Sequence, residues 1–600
     1  MRTCRALLAV CVVLGSSGIL QAQRLPGGVR PEHYSLTITP DLAKARFAGS
    51  ETIEVVLEKP TTTITLNVAE IEFGAVKAAV GEQGTGNRQQ QTATVTLDAV
   101  KEQATLTFAQ PLPAGPVTLE LEYTGTLNDK LRGFYLSKTK ARSYGVTQFE
   151  ATDARRAFPS FDEPALKATF DLTLVVDAGD TAISNTKIVS DKPGPMAGKH
   201  MIHFAPTPRM STYLVAWLVG DFVCAEGKSD GVPIRACATP DKAKLTRFAL
   251  ESAKWTLKYY DKYFGIKYPM AKLDMIAIPD FEAGAMENFG CITYRETEML
   301  VDEKHSTLAA RKDVAETIAH ELAHQWFGDL VTPDWWDNLW LNEGFATWME
   351  SKAAAAWHPK WEYEVDQAVN RNRIMDEDAA RTTRPIRSRA ETPAEINEMF
   401  DDNAYGKAGA VIGMVENYVG EEVFRKGVQA YLAAHLYANA TAQDFWNTQA
   451  RVSGLPVDQI MRGYVEQAGV PLVTLGGVGA RATVTQSQFV WSGTQMAKAW
   501  TIPVCFKGEA CRLLRPDQTA LDLPAAPFVF ANAAAKGYYR TAYSAKDLAA
   551  VVANAEMGLT PPERLGLLGD EWALMRAGQK TSVGDFLDLV LALKADQMRQ

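Results

Sequence analysis

Two histidines four residues apart, with a glutamate between them, are the residues of this chain best suited to chemistry: His320-Glu321-Leu322-Ala323-His324. At about 100° per residue, positions i and i+4 share one helix face, one turn apart, so two imidazole nitrogens can reach a single metal ion. Glu321 sits beside them, able to touch a water on that ion. A catalytic zinc site also needs a third protein ligand and an open fourth position. Eighteen residues separate His324 from Glu343, which lies in Trp340-Leu341-Asn342-Glu343-Gly344-Phe345-Ala346. That spacing lets the chain turn and lay a second helix beside the first, with Glu343 as the carboxylate ligand. Histidines on helices are more often solvated or packed than ligands. Here the intervening glutamate and the following Asn-Glu-Gly-Phe-Ala segment favour one Zn2+ held by His320, His324 and Glu343. Of the other six of the 8 histidines, only His200 and His203 lie close together, in a β-rich region. Trp326, Trp335, Trp336 and Trp340 flank the motif and are expected in the core.

The elements that must position these residues follow from periodicity. With 600 residues and 46% hydrophobic content, several domains are expected. Val29 to Phe222 is mostly alternating, as in Tyr34-Ser35-Leu36-Thr37-Ile38-Thr39, and reads as β-rich. After about Phe222 the texture changes. Ala243 to Phe264 has helical spacing, Met275-Ile276-Ala277-Ile278 reads as a strand, and Leu308 to Gly469 is mostly helical. The β pattern returns from Leu472 to about Tyr543, and Ala545 to Gln600 is helical again.

The amino terminus reads as a leader. Arg2 and Arg5 precede an apolar run from Ala6 to Leu14, too short to span a bilayer, and Leu20-Gln21-Ala22 suits cleavage. Residues 1–22 are therefore expected to be a signal peptide, and the protein to be exported to a periplasm or outside the cell. No later segment is apolar enough to cross a membrane. Removing the leader takes away two arginines and shifts the net charge from −9 to −11. An acidic surface argues against a nucleic-acid partner. Five cysteines remain. Cys505 with Cys511, and Cys224 with Cys237, are spaced to bridge hairpin arms, leaving Cys291 as a small buried hydrophobe.

A second motif, Gly284-Ala285-Met286-Glu287-Asn288, narrows the class. Together with the metal motif it resembles the aminopeptidase N family of zinc aminopeptidases. Thr147-Gln148-Phe149-Glu150, Asp153 to Pro159, Phe161 to Pro164, Ser211 to Ala216, Tyr405-Gly406-Lys407-Ala408 and Gly537-Tyr538-Tyr539-Arg540 extend the resemblance through most of the chain. It implies a multidomain α+β layout: a β saddle over 23–222, a thermolysin-like catalytic domain over 223–470, a small β sandwich over 471–544, and the start of an α-helical domain over 545–600. That last domain is much longer in relatives, which leaves open whether the cavity is enclosed.

The resemblance also implies roles. Glu321 is the general base and Tyr405 the donor to the oxyanion. Glu150 and Glu287 bind a free α-ammonium, and the backbone of Gly284 and Ala285 aligns a peptide as an added strand. Glu150, Ala283 and Met286 shape the pocket for the first side chain. The expected activity is release of neutral or basic residues from peptides with a free amino end. An epoxide hydrolase on the same scaffold, a thermolysin-type endopeptidase and a non-enzymatic peptide-binding protein are the alternatives.

Overall fold

The computed structural model describes residues 24–81, 89–476, 481–492, 498–523, 528–580 and 583–594. The expected leader lies outside them. The amino-terminal half is β-rich. A ten-stranded sheet runs from Ile188–Pro193 at one edge to Thr61–Asn67 at the other. Its strands form because their side chains alternate: Arg46–Leu57 points Phe47, Ile53, Val55 and Leu57 inward and leaves Ala48, Ser50, Thr52, Glu54 and Val56 more exposed between them. Val29–Asp41 pairs antiparallel with that strand and parallel with Thr169–Asp177. A four-stranded sheet, containing Ser143–Gln148, carries the chain to Glu150.

The central region opens with a five-stranded sheet. Val223–Ser229 and Val232–Ala238 form a hairpin, joined by the disulfide Cys224–Cys237. Val232–Ala238, Leu273–Ile278 and Cys291–Arg295 then run parallel. Every residue of Leu273–Ile278 is buried, as expected of a parallel strand covered on both faces. The two-residue strand Ala285–Met286 closes the sheet as an antiparallel edge.

Helices pack on this sheet. Arg247–Phe264 ends at Gly265, in the left-handed conformation that glycine tolerates. Leu308–His324 starts at Thr307, whose hydroxyl accepts from the Ala310 N–H. Trp340–Trp357 lies along it, and the glycine at 344 allows Ala408 and the Ala404 carbonyl to approach closely: a Cβ there would meet the Ala408 Cβ at 2.6 Å. Trp326, Trp335, Trp336 and Trp340 are all buried around this helix pair.

A smaller four-stranded sheet follows, built from Val470–Gly476, Arg481–Phe489, Ala520–Asp522 and Arg540–Tyr543. A two-stranded pair beside it carries the disulfide Cys505–Cys511. Three helices, Ala545–Gly558, Pro561–Arg576 and Val583–Ala592, come last. Cys291 is buried and unpaired. Among the described residues, no helix is long and apolar enough to cross a membrane.

Candidate active site

The Leu308–His324 and Trp340–Trp357 helices bring His320, His324 and Glu343 together. One ligand atom from each lies within 4.8 Å of the others. The Glu343 carboxylate sits 3.2 Å from His320 Nε2 and 3.4 Å from His324 Nε2. Both rings are fixed from behind. His320 Nδ1 donates to Glu350 at 2.6 Å, and His324 Nδ1 to the Asn342 side-chain oxygen at 2.5 Å. With the proton held on Nδ1, each Nε2 lone pair is aimed at the same point.

Glu350 and Asn342 were not singled out from the sequence. Glu350 follows Glu343 by seven residues, two turns along the same helix face, and that spacing was the available signal. Asn342 also donates to Glu287 at 2.9 Å, so one amide braces a histidine and the acidic motif together. The chain leaves room for it at Gly328, where φ is +122° and a Cβ would fall 2.0 Å from the Asn342 oxygen. Replacing Glu350 by alanine is expected to weaken zinc binding by about 10–100-fold without unfolding the protein. Competition against a chelator, read beside the circular dichroism spectrum, checks this.

The remaining residues converge on the same place. Glu150, Glu287 and Glu343 carboxylates lie within 4.8 Å of one another, and so do groups of Glu287, Glu321 and His324. A cavity of about 380 Å³ is lined by Glu150, Ala283, Gly284, Ala285, Glu287, Glu321, Tyr405 and the three metal-ligand candidates, together with Asp313, Glu316, Thr317 and Glu350. Among the described residues, seven carboxylates line it and no lysine or arginine does. Tyr405 arrives on a π-helical turn, Asn403–Lys407, a distortion common at functional sites. Its ring stacks parallel to His320 with centroids 6.1 Å apart.

Met286 does not line the cavity. Alternation along the strand turns it to the opposite side from Ala285, where it is 1% exposed. Of the two expected backbone contacts, Gly284 is engaged already: its carbonyl accepts from Arg295 N at 2.8 Å. That bond marks Ala285 and Tyr294 as a non-hydrogen-bonded antiparallel pair, which turns the Ala285 N–H and C=O toward the free edge of the sheet. His200 and His203 lie elsewhere, bonded to Asp191 and Thr173.

The electrostatics follow from burying so many acids. Burial, reinforced by the Glu287 charge, holds Glu150 well above the usual carboxylate range. Burial lifts Glu321 to about 8. Burial opposes the charging of both imidazoles, yet the surrounding carboxylates hold His320 well above its ordinary value and His324 at about 10. Burial also works against the Glu343 carboxylate, but the two histidines outweigh it and bring it to about 2. The residues thus demand positive charge between the two Nε2 atoms and Glu343. Two nitrogens and one carboxylate oxygen, braced from behind, fit a divalent zinc ion in both donor type and charge.

A buried cluster of two histidines and one glutamate on two packed helices, beside an open sheet edge, defines a zinc metallopeptidase. Comparison with known proteins agrees. The chain matches the peptidase family M1 domain over residues 248–464, the peptidase M1 N-terminal domain over 30–214 and the ERAP1-like C-terminal domain over 528–598. It is 38% identical over 596 residues to Aminopeptidase M1-A of Oryza sativa subsp. japonica, covering 95% of this chain and 67% of that one. It is 35% identical to Alanine/arginine aminopeptidase of Saccharomyces cerevisiae, over 94% of this chain and 67% of the other. It is 36% identical to Aminopeptidase 2, mitochondrial, of the same yeast, over 94% and 60%. The chain belongs to peptidase family M1 and is a zinc-dependent metallo-aminopeptidase acting on peptides.

These relatives correct the expected localisation. A mitochondrial enzyme by name matches nearly the whole chain, so this family membership does not carry export, and the signal-peptide reading of residues 1–22 is withdrawn. A basic, acid-free segment is shared by leaders addressed to different compartments, and composition did not choose between them.

Proposed function

We propose that this enzyme binds one Zn2+ through His320, His324 and Glu343 and releases neutral or basic residues from free amino ends. The observation that carries the reading is the meeting of the Glu150, Glu287 and Glu343 carboxylates within 4.8 Å, in a cavity with no lysine or arginine on its wall among the described residues. Such a cavity accommodates two cations, an ion and an ammonium. Glu150 and Glu287 catch the α-ammonium by charge-assisted hydrogen bonds. The Ala285 N–H and C=O then hold the peptide backbone as a further strand, a common mode of peptide recognition. Zinc, when bound, supplies Lewis-acid polarisation of the carbonyl and makes water a better nucleophile at neutral pH.

The chain's own groups complete the reaction. Glu321 accepts the proton of the attacking water and delivers it to the leaving amine. The Tyr405 phenol, kept protonated by burial and by the surrounding carboxylates, donates to the carbonyl oxygen as that oxygen gains charge. Ala283 is small and leaves space for the first side chain. The acidic wall excludes a carboxylate there, and the name of the yeast alanine/arginine relative spans the same neutral-to-basic range. A set of amino-acid anilides is expected to show Ala, Leu or Arg ahead of Asp and Glu; the reverse order would refute this assignment.

The test of the amine anchor is a matched pair of peptides, one free and one N-acetylated. Only the free peptide should be cleaved, because an acetyl group removes the ion pair and leaves buried carboxylates unmatched. Glu287→Ala should raise KM for the free peptide by about 10–100-fold, the worth of one charge-assisted hydrogen bond. Normal hydrolysis of a leucine anilide by that variant would end the anchoring idea.

A further inference from the structure

The direction of the edge strand says where the rest of a substrate goes. An antiparallel strand added beside Ala285–Met286 starts at the Glu287 end and runs back past Gly284. The neighbour there is Glu298: a Cβ on Gly284 would lie 3.7 Å from its Cγ. Glu298 accepts from the Thr317 hydroxyl at 3.2 Å, on the cavity-lining face of the Leu308–His324 helix. One turn earlier on that face stands Asp313, which is exposed, and Glu316 lies between. The helix runs from Asp313 toward His320 and His324, so these acids sit on the side of the cavity away from the amine anchor.

Among the described residues the nearest cations are mostly engaged elsewhere, and Lys312 offsets only part of the charge on Asp313. Lys312 is committed to Asp366, and the Arg295 guanidinium to the carbonyls of Phe281 and Glu282. Partial burial, with repulsion from Glu298 and Asp366, raises Asp313 above its ordinary value, more than the nearby Lys312 charge lowers it.

We propose that Glu298 and Asp313 select substrates whose second residue, just after the scissile bond, is cationic. This rests on the aminopeptidase reading and deepens it by naming the substrate class: peptides with lysine or arginine in second place. Surface charge pairs are individually weak, so two acids acting on a lysine rather than a glutamate are worth about tenfold in kcat/KM.

The experiment compares peptides differing only at the second residue, Ala-Lys against Ala-Glu, at low and high salt, with the zinc-loaded enzyme. Cleavage of a leucine anilide, which has no second residue, is measured alongside. The expected result is a ratio of about ten that shrinks as salt screens exposed charge. In the double variant Glu298→Gln, Asp313→Asn the same ratio should fall to about two or less. Taking the ratio within each protein cancels differences in zinc content or folding, and Asp313→Asn alone should lower it part of the way. Anilide cleavage with no lysine preference, or a preference unchanged in the variants, overturns this inference only. Absence of anilide cleavage by the wild type overturns the reading beneath it, and this inference with it.

Discussion

Glu321→Ala is expected to lower kcat by about 10²–10⁴ while zinc content stays at the wild-type level. The separation is possible because Glu321 is not needed to complete the metal cluster formed by His320, His324 and Glu343. Its carboxylate is buried, and one oxygen has no hydrogen-bond partner among the described residues. A buried acceptor left free is costly in a purely structural residue, so its freedom makes sense as readiness for a substrate-side proton. Metal analysis and leucine-anilide turnover on the same sample read both quantities. Zinc lost in step with activity, with turnover per metal unchanged, would move Glu321 from base to ligand. Glu321→Gln keeps the volume and should be as inactive.

Tyr405→Phe is the second large effect, about 10²–10³ in kcat, or ~2.7–4 kcal/mol of barrier. The ring stacking on His320 survives the substitution, so the zinc site and the fold should be undisturbed. Because the phenol acts on charge that develops only during reaction, kcat and kcat/KM should fall together while KM changes little. A variant with normal kcat and raised KM would instead make Tyr405 a ground-state contact.

The meeting of His320, His324 and Glu343 was legible from the sequence because it depends on helix periodicity. Four residues bring His320 and His324 to one face, and an 18-residue excursion returns Glu343 on a packed helix. The alternating pattern likewise announced the β-rich amino-terminal half and the return of strands after Leu472. Glu150 and Tyr405 were invisible to periodicity. One follows a strand in a different sheet and the other rides a π-helical turn, so only resemblance to a family pointed to them.

Other details turned on the single edge strand. A period of two sends Met286 into the core and Ala285 to the cavity, and one bond from Arg295 occupies the Gly284 carbonyl. Neither could be read before the register with Cys291–Arg295 was known. The bracing roles of Asn342 and Glu350 were missed: Asn342 stood in the quoted motif with no role of its own and Glu350 outside it, although both stand on the helix that delivers Glu343.

The most direct measurement is anomalous diffraction at the zinc edge from crystals of the zinc-loaded protein. The account predicts one peak per chain, bonded to Nε2 of His320, Nε2 of His324 and a carboxylate oxygen of Glu343, with Glu150 and Glu287 facing it across the cavity. A peak held by other residues, or none at that cluster, would contradict it.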